Sequence, residues 1–251
     1  MLRLADVEAS YGPFRALFGV SLQVGRGEAV ALLGPNGAGK TTVARVASGL
    51  IAPTRGAVWI DDAEVTGRAT HKFARAGVAH APEGRSVFAT LTVVENLRLS
   101  FQRRYGRAGV DDALERAFEM FALLRVRAGQ LAGTLSGGEQ RMLSLAQVIV
   151  EEPKILVADE LSLGLAPVII DEVYATLGRI RAAGTSLLIV EQHVGHALAL
   201  CDRALLLDHG AVAWEGSAHD AHDRVAETLF HAAADAGART SARRPARPRT
   251  T

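Results

Sequence analysis

Leu33–Thr42 reads LGPNGAGKTT, and this run dictates the local fold around it. Gly34, Gly39, Lys40 and Thr41 fill the pattern G-x-x-x-x-G-K-[ST], which works only as a tight loop between a buried strand and the first turn of a helix. Glu28–Leu33 supplies the apolar strand. The residues that follow predict a helix to about Leu50, with Val43, Val46, Ala47 and Leu50 on one face. The glycines let the backbone close around an anion with its N–H groups pointing inward. A helix beginning near Gly39 adds the positive end of its dipole. Lys40 brings a point charge for β- and γ-phosphates, and the Thr41 hydroxyl suits Mg²⁺. The reading is a nucleoside triphosphate held by its phosphates in a cradle of Gly34, Pro35, Asn36, Gly37, Ala38, Gly39, Lys40, Thr41 and Thr42.

The rest of the chain has to provide the sheet and the helices that such a loop needs. Leu2–Ala9 and Arg15–Val24 alternate apolar and polar residues on either side of the turn Tyr11-Gly12-Pro13, which predicts an N-terminal β layer. Strands follow at Gly56–Ile60 and near Ala76–His80. The latter leads to the loop Pro82-Glu83-Gly84-Arg85. From Thr92 to about Gln130 the spacing is helical, as in an inserted helical subdomain spanning about 92–150 with the helix Gly137–Val150. Strand Ile155–Ala158, helix Val168–Ala182, strand Ser186–Val190 and helix Val194–Leu200 then alternate as in a parallel sheet with crossover helices. Strands Ala204–Leu207 and Val212–Trp214 flank the turn Asp208-His209-Gly210.

Composition narrows the class. At 251 residues and 49% hydrophobic content the chain can bury a large core, and it has no apolar run of the roughly 18 residues a membrane helix needs. Acidic residues in MLRLADVEAS stand where a secretory signal requires an apolar segment, so export by that route is not expected. The single cysteine, Cys201, rules out an internal disulfide and reads as a small apolar residue at a helix end. Net charge is +1, but Arg239, Arg243, Arg244, Arg247 and Arg249 fall in a Pro-containing stretch after Gly237 without apolar periodicity. That composition predicts a domain over 1–236 and a disordered tail over 237–251. An anionic lipid or RNA is the alternative reading of its arginines.

Two further signals carry chemistry. ILVADE, Ile155–Glu160, ends an apolar strand in two carboxylates. Asp159 can hold Mg²⁺ through its water shell, and Glu160 can orient or deprotonate a water attacking the γ-phosphate. LSGGEQ, Leu135–Gln140, places Ser136 before an apolar helix with Glu139 three residues on, a capping box. Adjacent glycines disfavour a helix start, and Gly137 and Gly138 make sense where bare N–H groups approach an anion. One chain cannot easily aim both this helix and its own phosphate loop at one phosphate; a second copy or a paralogue facing it head to tail can. The pairs His193/His196 and His219/His222 have i, i+3 spacing but lack an accompanying carboxylate or cysteine cluster, which favours exposed surface over a metal site.

GPNGAGKT, LSGGEQ and ILVADE, in that order, resemble the ATP-binding subunit of an ABC transporter over residues 2 to about 230. The resemblance implies an α/β fold: a P-loop ATPase core with a parallel sheet, an N-terminal antiparallel β layer and an inserted helical subdomain. Pro82-Glu83-Gly84-Arg85 with Phe88, Leu91-Thr92-Val93 with Glu95-Asn96-Leu97, Ser162–Pro167 and Val190-Glu191-Gln192 are similar to the ATP-binding subunits of branched-chain amino acid importers. By that resemblance Glu83 contacts Mg²⁺ and the membrane partner, and Tyr11 stacks on adenine, although a tyrosine before Gly-Pro also suits the turn. Ser136, Gly137, Gly138 and Glu139 would contact ATP held by the opposite subunit. Gln192 stands where these ATPases usually carry a switch histidine, with His193 one place on. Leu161 replaces the proline usual after the catalytic glutamate, and Ala166 the aspartate usual in the next loop.

Taken together these imply an ATPase with Glu160, Lys40 and Gln192 as catalytic residues, Thr41, Glu83 and Asp159 as metal ligands, and ATP and Mg²⁺ as cofactors. The implied partners are a second ATPase subunit, two membrane permeases and a periplasmic or lipid-anchored solute-binding protein, with no nucleic acid. The implied location is the cytoplasmic face of the inner membrane. A urea or short-amide importer subunit, a soluble non-transport ABC ATPase and a regulatory nucleotide-binding partner are the alternatives.

Overall fold

The computed structural model describes residues 1–84, 86–192, 194–221 and 224. In chain order it contains β1 (Leu2–Tyr11), β2 (Phe14–Val24), β3 (Ala29–Leu33), α1 (Lys40–Ala47), β4 (Arg55–Ile60), β5 (Ala63–Glu64), α2 (Thr70–Arg75) and β6 (Val78–Ala81). A helical stretch follows: α3 (Val93–Tyr105), α4 (Val110–Met120), α5 (Ala122–Val126), a 3₁₀ turn at Ala132–Thr134 and α6 (Gly137–Ile149). The chain then alternates through β7 (Ile155–Asp159), α7 (Pro167–Ala182), β8 (Ser186–Glu191), α8 (Val194–Leu200), β9 (Arg203–Asp208) and β10 (Ala211–Ser217).

The strands form two sheets. One is antiparallel, ordered β2-β1-β4-β5; the other is ordered β10-β9-β3-β8-β7-β6 and is parallel except for the β10–β9 pair. The parallel strands read as unbroken apolar runs because both of their faces are buried. Val30, Leu32, Ile155, Val157, Leu188, Val190, Leu205 and Leu207 face one core, which they share with Val43, Val46 and Ala47 of α1 and with the apolar face of β1, β2 and β4. Ala31, Leu33, Leu156, Ala158, Leu187, Ile189 and Leu206 face a second core, built with α3 to α8. Helix α1 is therefore clamped between two sheets, which fixes the loop in front of it.

Two expectations are corrected. Helix α1 ends at Ala47, not Leu50, and Leu50 is exposed. The Gly49 amide donates to Val46 O and the Leu50 amide to Arg45 O, a Schellman turn that needs a left-handed residue, and Gly49 has φ +69°. A Cβ there would also run into the ring of Phe73. Phe73 sits on α2, an element that sequence periodicity does not reveal, as it does not reveal β5. The strand expected at Ala76–His80 runs instead from Val78 to Ala81, because Gly77 at φ +96° still belongs to the turn after α2. The tail 237–251 lies outside the described residues, as do Arg85, His193 and His222.

Candidate active site

Neighbouring parallel strands deliver the chemistry at their C-terminal ends, the usual place for a ligand on such a sheet. β3 ends beside the phosphate loop, β7 in Asp159 before Glu160, β8 in Glu191 before Gln192, and β6 leads into Pro82-Glu83. Register aligns them: Leu33 pairs with Glu191, Asp159 with Val190 and Ala81 with Ala158. Hence four segments far apart in sequence meet at one edge of the sheet.

Gly39 caps α1 with φ +100°, and a side chain there would press on Leu17 and the Ala16 carbonyl; only glycine fits both. The Ala38 amide donates to Pro35 O at 3.2 Å, and Ala38 O accepts from the Gly210 amide at 2.9 Å, so the β9–β10 turn braces the loop from behind. Lys40 is 3% exposed; its ammonium donates to Pro35 O at 3.2 Å and lies 3.4 Å from Glu160 Oε1. The residues expected to bind phosphate and to activate water are thus in contact. Tyr11, 42% exposed, ends β1 with its hydroxyl 3.5 Å from Thr42 Oγ1 and accepting from Arg45 at 3.2 Å. The structure brings it to the flank of the loop.

Thr41 Oγ1 donates to Asp159 Oδ1 at 3.4 Å. The Asp159 carboxyl is pushed up to about 6, chiefly by burial and next by the adjacent Glu160, with Glu83 adding to the effect. Two hard oxygen donors, the Thr41 hydroxyl and an Asp159 carboxyl raised by burial and by its acidic neighbours, fit Mg²⁺, which takes few protein ligands and keeps its waters. Among the described residues no three or more His, Cys, Asp or Glu gather into a metal-holding cluster, so Glu83 is not brought together with Asp159 and Glu160 in one. Glu83 is exposed on its loop, and its charge reaches both Asp159 and Arg141. Gln192 is exposed just past β8, on the same sheet edge.

The Glu160 backbone is left-handed, with φ +46°, which for a residue with a side chain costs on the order of 1–3 kcal/mol and persists only where its surroundings impose it. They do. Its amide donates to Val190 O at 2.8 Å and its carbonyl accepts from Arg141 at 2.6 Å. Arg141 lies one turn into α6, is 4% exposed, and donates also to Pro82 O at 2.6 Å and Gly84 O at 2.5 Å, with longer bonds to Asp159 O and Leu161 O at 3.4 Å. Burial lowers the pKa of its guanidinium, while Glu191, Asp159 and Glu83 hold it charged. Sequence reading missed Arg141 and passed over Glu191 as part of a motif; a basic residue inside an otherwise apolar helix face was the available signal for the first.

Ser136 caps α6 as expected: its amide donates to Glu139 Oε2 at 2.7 Å, and its Oγ accepts from the Glu139 amide at 3.3 Å. Hydrogen bonds from Ser136, with Arg127 behind them, keep the Glu139 carboxyl below its usual range. Ser136 is exposed, and among the described residues no hydrogen bond or ion pair joins Ser136–Glu139 to Gly34–Thr42. His196 contacts Asp171 at 3.0 Å and stacks near Tyr174. Cys201 is buried just past α8, its thiol pushed up to about 12 by burial.

A cleft of about 750 Å³ lies elsewhere, between the end of α1, α2 and β6 on one side and α3 and α6 on the other. Its walls include Arg75, His80, Arg103 and Gln147 but no residue of the phosphate loop. No helix among the described residues is long and apolar enough to cross a membrane.

Comparison with known proteins matches residues 17–162 to the ABC transporter family model. The chain is 38% identical over 217 residues to the high-affinity branched-chain amino acid transport ATP-binding protein of Pseudomonas aeruginosa, covering 84% of this chain and 91% of that one. It is 31% identical over 218 residues to the lipopolysaccharide export system ATP-binding protein of Escherichia coli, covering 86% and 90%. Among solved structures, a dimeric bacterial ABC transporter cassette superposes with a TM-score of 0.79 at 25% identity, over 87% of this chain and 99% of that one.

Proposed function

Because this chain belongs to the ABC transporter family as an ATP-hydrolysing, ATP-binding subunit, we propose that it powers uptake of branched-chain amino acids or similar small polar solutes across an inner membrane, from its cytoplasmic face. The likeness to the Pseudomonas protein carries this reading, and the motifs around Glu83, Gln192 and Ser162–Pro167 agree with it. Two such subunits, this chain with itself or with a paralogue, sandwich two ATP molecules. The loop Gly34–Thr42 of one and Ser136–Gln140 of the other complete each site, and the similar bacterial cassette being dimeric is in keeping with a pair. At the start of α6 the capping box takes the Ser136 and Glu139 amides and leaves those of Gly137 and Gly138 for a phosphate on the facing subunit.

Within a site, Lys40 leaves Glu160 and Pro35 for the β- and γ-phosphates, which frees the Glu160 carboxylate to orient and deprotonate the attacking water. Gln192 donates its amide to a γ-phosphate oxygen without bringing a charge. Thr41 and Asp159, with Glu83, would hold Mg²⁺, which would supply charge neutralisation to the triphosphate when bound. Tyr11 stacks on adenine. Membrane permeases dock on the surface near Glu83 and the α3–α6 helices, and a separate solute-binding protein delivers the cargo.

The test is purification of the tagged chain from its native membranes in mild detergent, followed by reconstitution. Two permeases, a second ATPase subunit and ATP-driven uptake of labelled leucine are expected. Ribosomal or DNA-repair partners without a membrane protein would overturn the transporter reading. Permeases with uptake of urea or amides would move the solute class. Capture of a lipopolysaccharide-handling assembly would favour the second reading, export, which the Escherichia coli relative motivates. Glu160→Gln should bind ATP and turn it over at least about 100-fold more slowly; turnover at the wild-type rate would remove Glu160 from the catalytic role.

A further inference from the structure

The segment Asp159–Ser162 is gripped from two sides by buried charges of opposite sign. On one side Arg141 donates to three consecutive carbonyls, those of Asp159, Glu160 and Leu161. On the other, Glu191 is 1% exposed and accepts from the Ser162 amide at 2.9 Å, the Ser162 hydroxyl at 2.7 Å and the Tyr174 hydroxyl at 3.3 Å. A cation takes the carbonyls and an anion takes the amide, which is the polarity each backbone group needs. Between them stands Glu160 in its left-handed conformation, where no proline follows to restrict the chain. Each grip also reaches outward. The same guanidinium holds Pro82 O and Gly84 O on either side of Glu83, and Glu191 immediately precedes Gln192.

We propose that Arg141 and Glu191 are positioning residues that together hold the Glu160 backbone in its left-handed, water-activating orientation and tie the loops bearing Glu83 and Gln192 to it. The inference rests on the reading of Glu160 as the group that activates water. A guanidinium is suited to this task where lysine is not, since its planar fork of donors spans several fixed carbonyls at once. Neither residue touches ATP; both act through the placement of Glu160.

The experiment is a double-mutant cycle on the full-length chain, with kcat, KM for ATP and nucleotide affinity measured alongside thermal unfolding. Arg141→Lys and Glu191→Gln keep the volume and part of the hydrogen bonding. Each should lower kcat by about 10- to 100-fold, because a displacement near 1 Å at a reacting group has that effect. KM and ATP affinity should change less than about threefold. Ser162→Ala removes a single hydroxyl, leaves both charges in place, and should give a smaller fall of the same kind, which keeps the test open if a charge variant fails to fold. In the Glu160→Gln background none of the three should slow turnover further. A fall in ATP affinity as large as the fall in kcat, or an undiminished further loss in the Glu160→Gln background, would overturn the positioning role. A Glu160→Gln variant that turns ATP over at the wild-type rate would instead fail the reading beneath it, and the two failures look different in the same table of rates.

Discussion

His80 stands on β6 with one ring nitrogen engaged and the other stranded. Ser48 Oγ already donates to Ala44 O at 2.7 Å, so the 3.3 Å contact between Ser48 Oγ and His80 Nδ1 has the ring donating. That leaves Nε2 as a buried lone pair without a partner among the described residues. Protonation would place an unpaired N–H⁺ there, close to Arg45; burial, with Arg45 assisting, lowers this histidine from 6.5 to about 4. The sign follows directly. Between about pH 6.5 and 4 the unfolded chain binds a proton that the folded chain refuses, so stability falls as pH falls through that window. The full effect is on the order of 3 kcal/mol, taking 1.36 kcal/mol for each pH unit of displacement. Urea denaturation at pH 7 and pH 4.5 should show this loss, and His80→Gln, which cannot titrate, should remove most of it. An unchanged pH dependence in the variant would place the acid sensitivity elsewhere.

At the level of elements, α7 begins without a side-chain cap. Ala166 has the extended backbone of an N-cap, at φ −69° and ψ 148°, and Pro167 fills the first helical position; the Ile169 amide already donates to Ala166 O at 2.9 Å, yet an alanine has no side-chain oxygen to offer the Val168 amide. Ala166→Asp restores a cap in geometry already made for one. It should raise stability by about 0.5–2 kcal/mol, read as a higher urea midpoint at unchanged slope; no gain would mean that the Val168 amide is already satisfied. The contrast with α6, whose capping box was legible as Ser136 with Glu139, shows what sequence conveys well: contacts three residues apart inside one element. Strands β3, β7 and β8 were equally legible, since apolar runs ending in glycine or carboxylates announce both the buried strand and its functional end. Helix α2 was not, because Phe73 is the only large apolar residue in its one and a half turns. Leu50 misled for the opposite reason: its spacing continues the apolar face of α1, but the left-handed turn at Gly49 throws it outward. Arg141 and Glu191 escaped because their partners are 17 to 59 residues away, and nothing in a linear pattern says that Pro82, Glu160 and Ser162 converge.

Across the whole molecule, two features that chemistry would join remain apart. The phosphate loop is walled in by the two sheets and the β9–β10 turn, whereas Ser136 opens α6 at the surface, with Arg141 one turn further in as the connection between α6 and the catalytic strand. If each ATP site needs the loop of one subunit and the α6 N-terminus of another, defects in the two parts must complement. Lys40→Ala disables the loop. Ser136→Asp keeps the cap, because aspartate serves an N-cap as well as serine does, but sets a carboxylate where the facing subunit's phosphate must lie. Alone, each variant has every site damaged and should be nearly inactive. In a mixed dimer one site carries both defects and the other carries neither. Random pairing of equal amounts should therefore recover about a quarter of the wild-type rate, as the two-fold symmetry of the pair requires. Recovery measured as ATP hydrolysis against mixing ratio would peak at equal proportions. A mixture no more active than its components, with both variants still folded and able to associate, would mean that this chain does not build its sites with a second copy of itself, leaving a paralogue as the facing subunit.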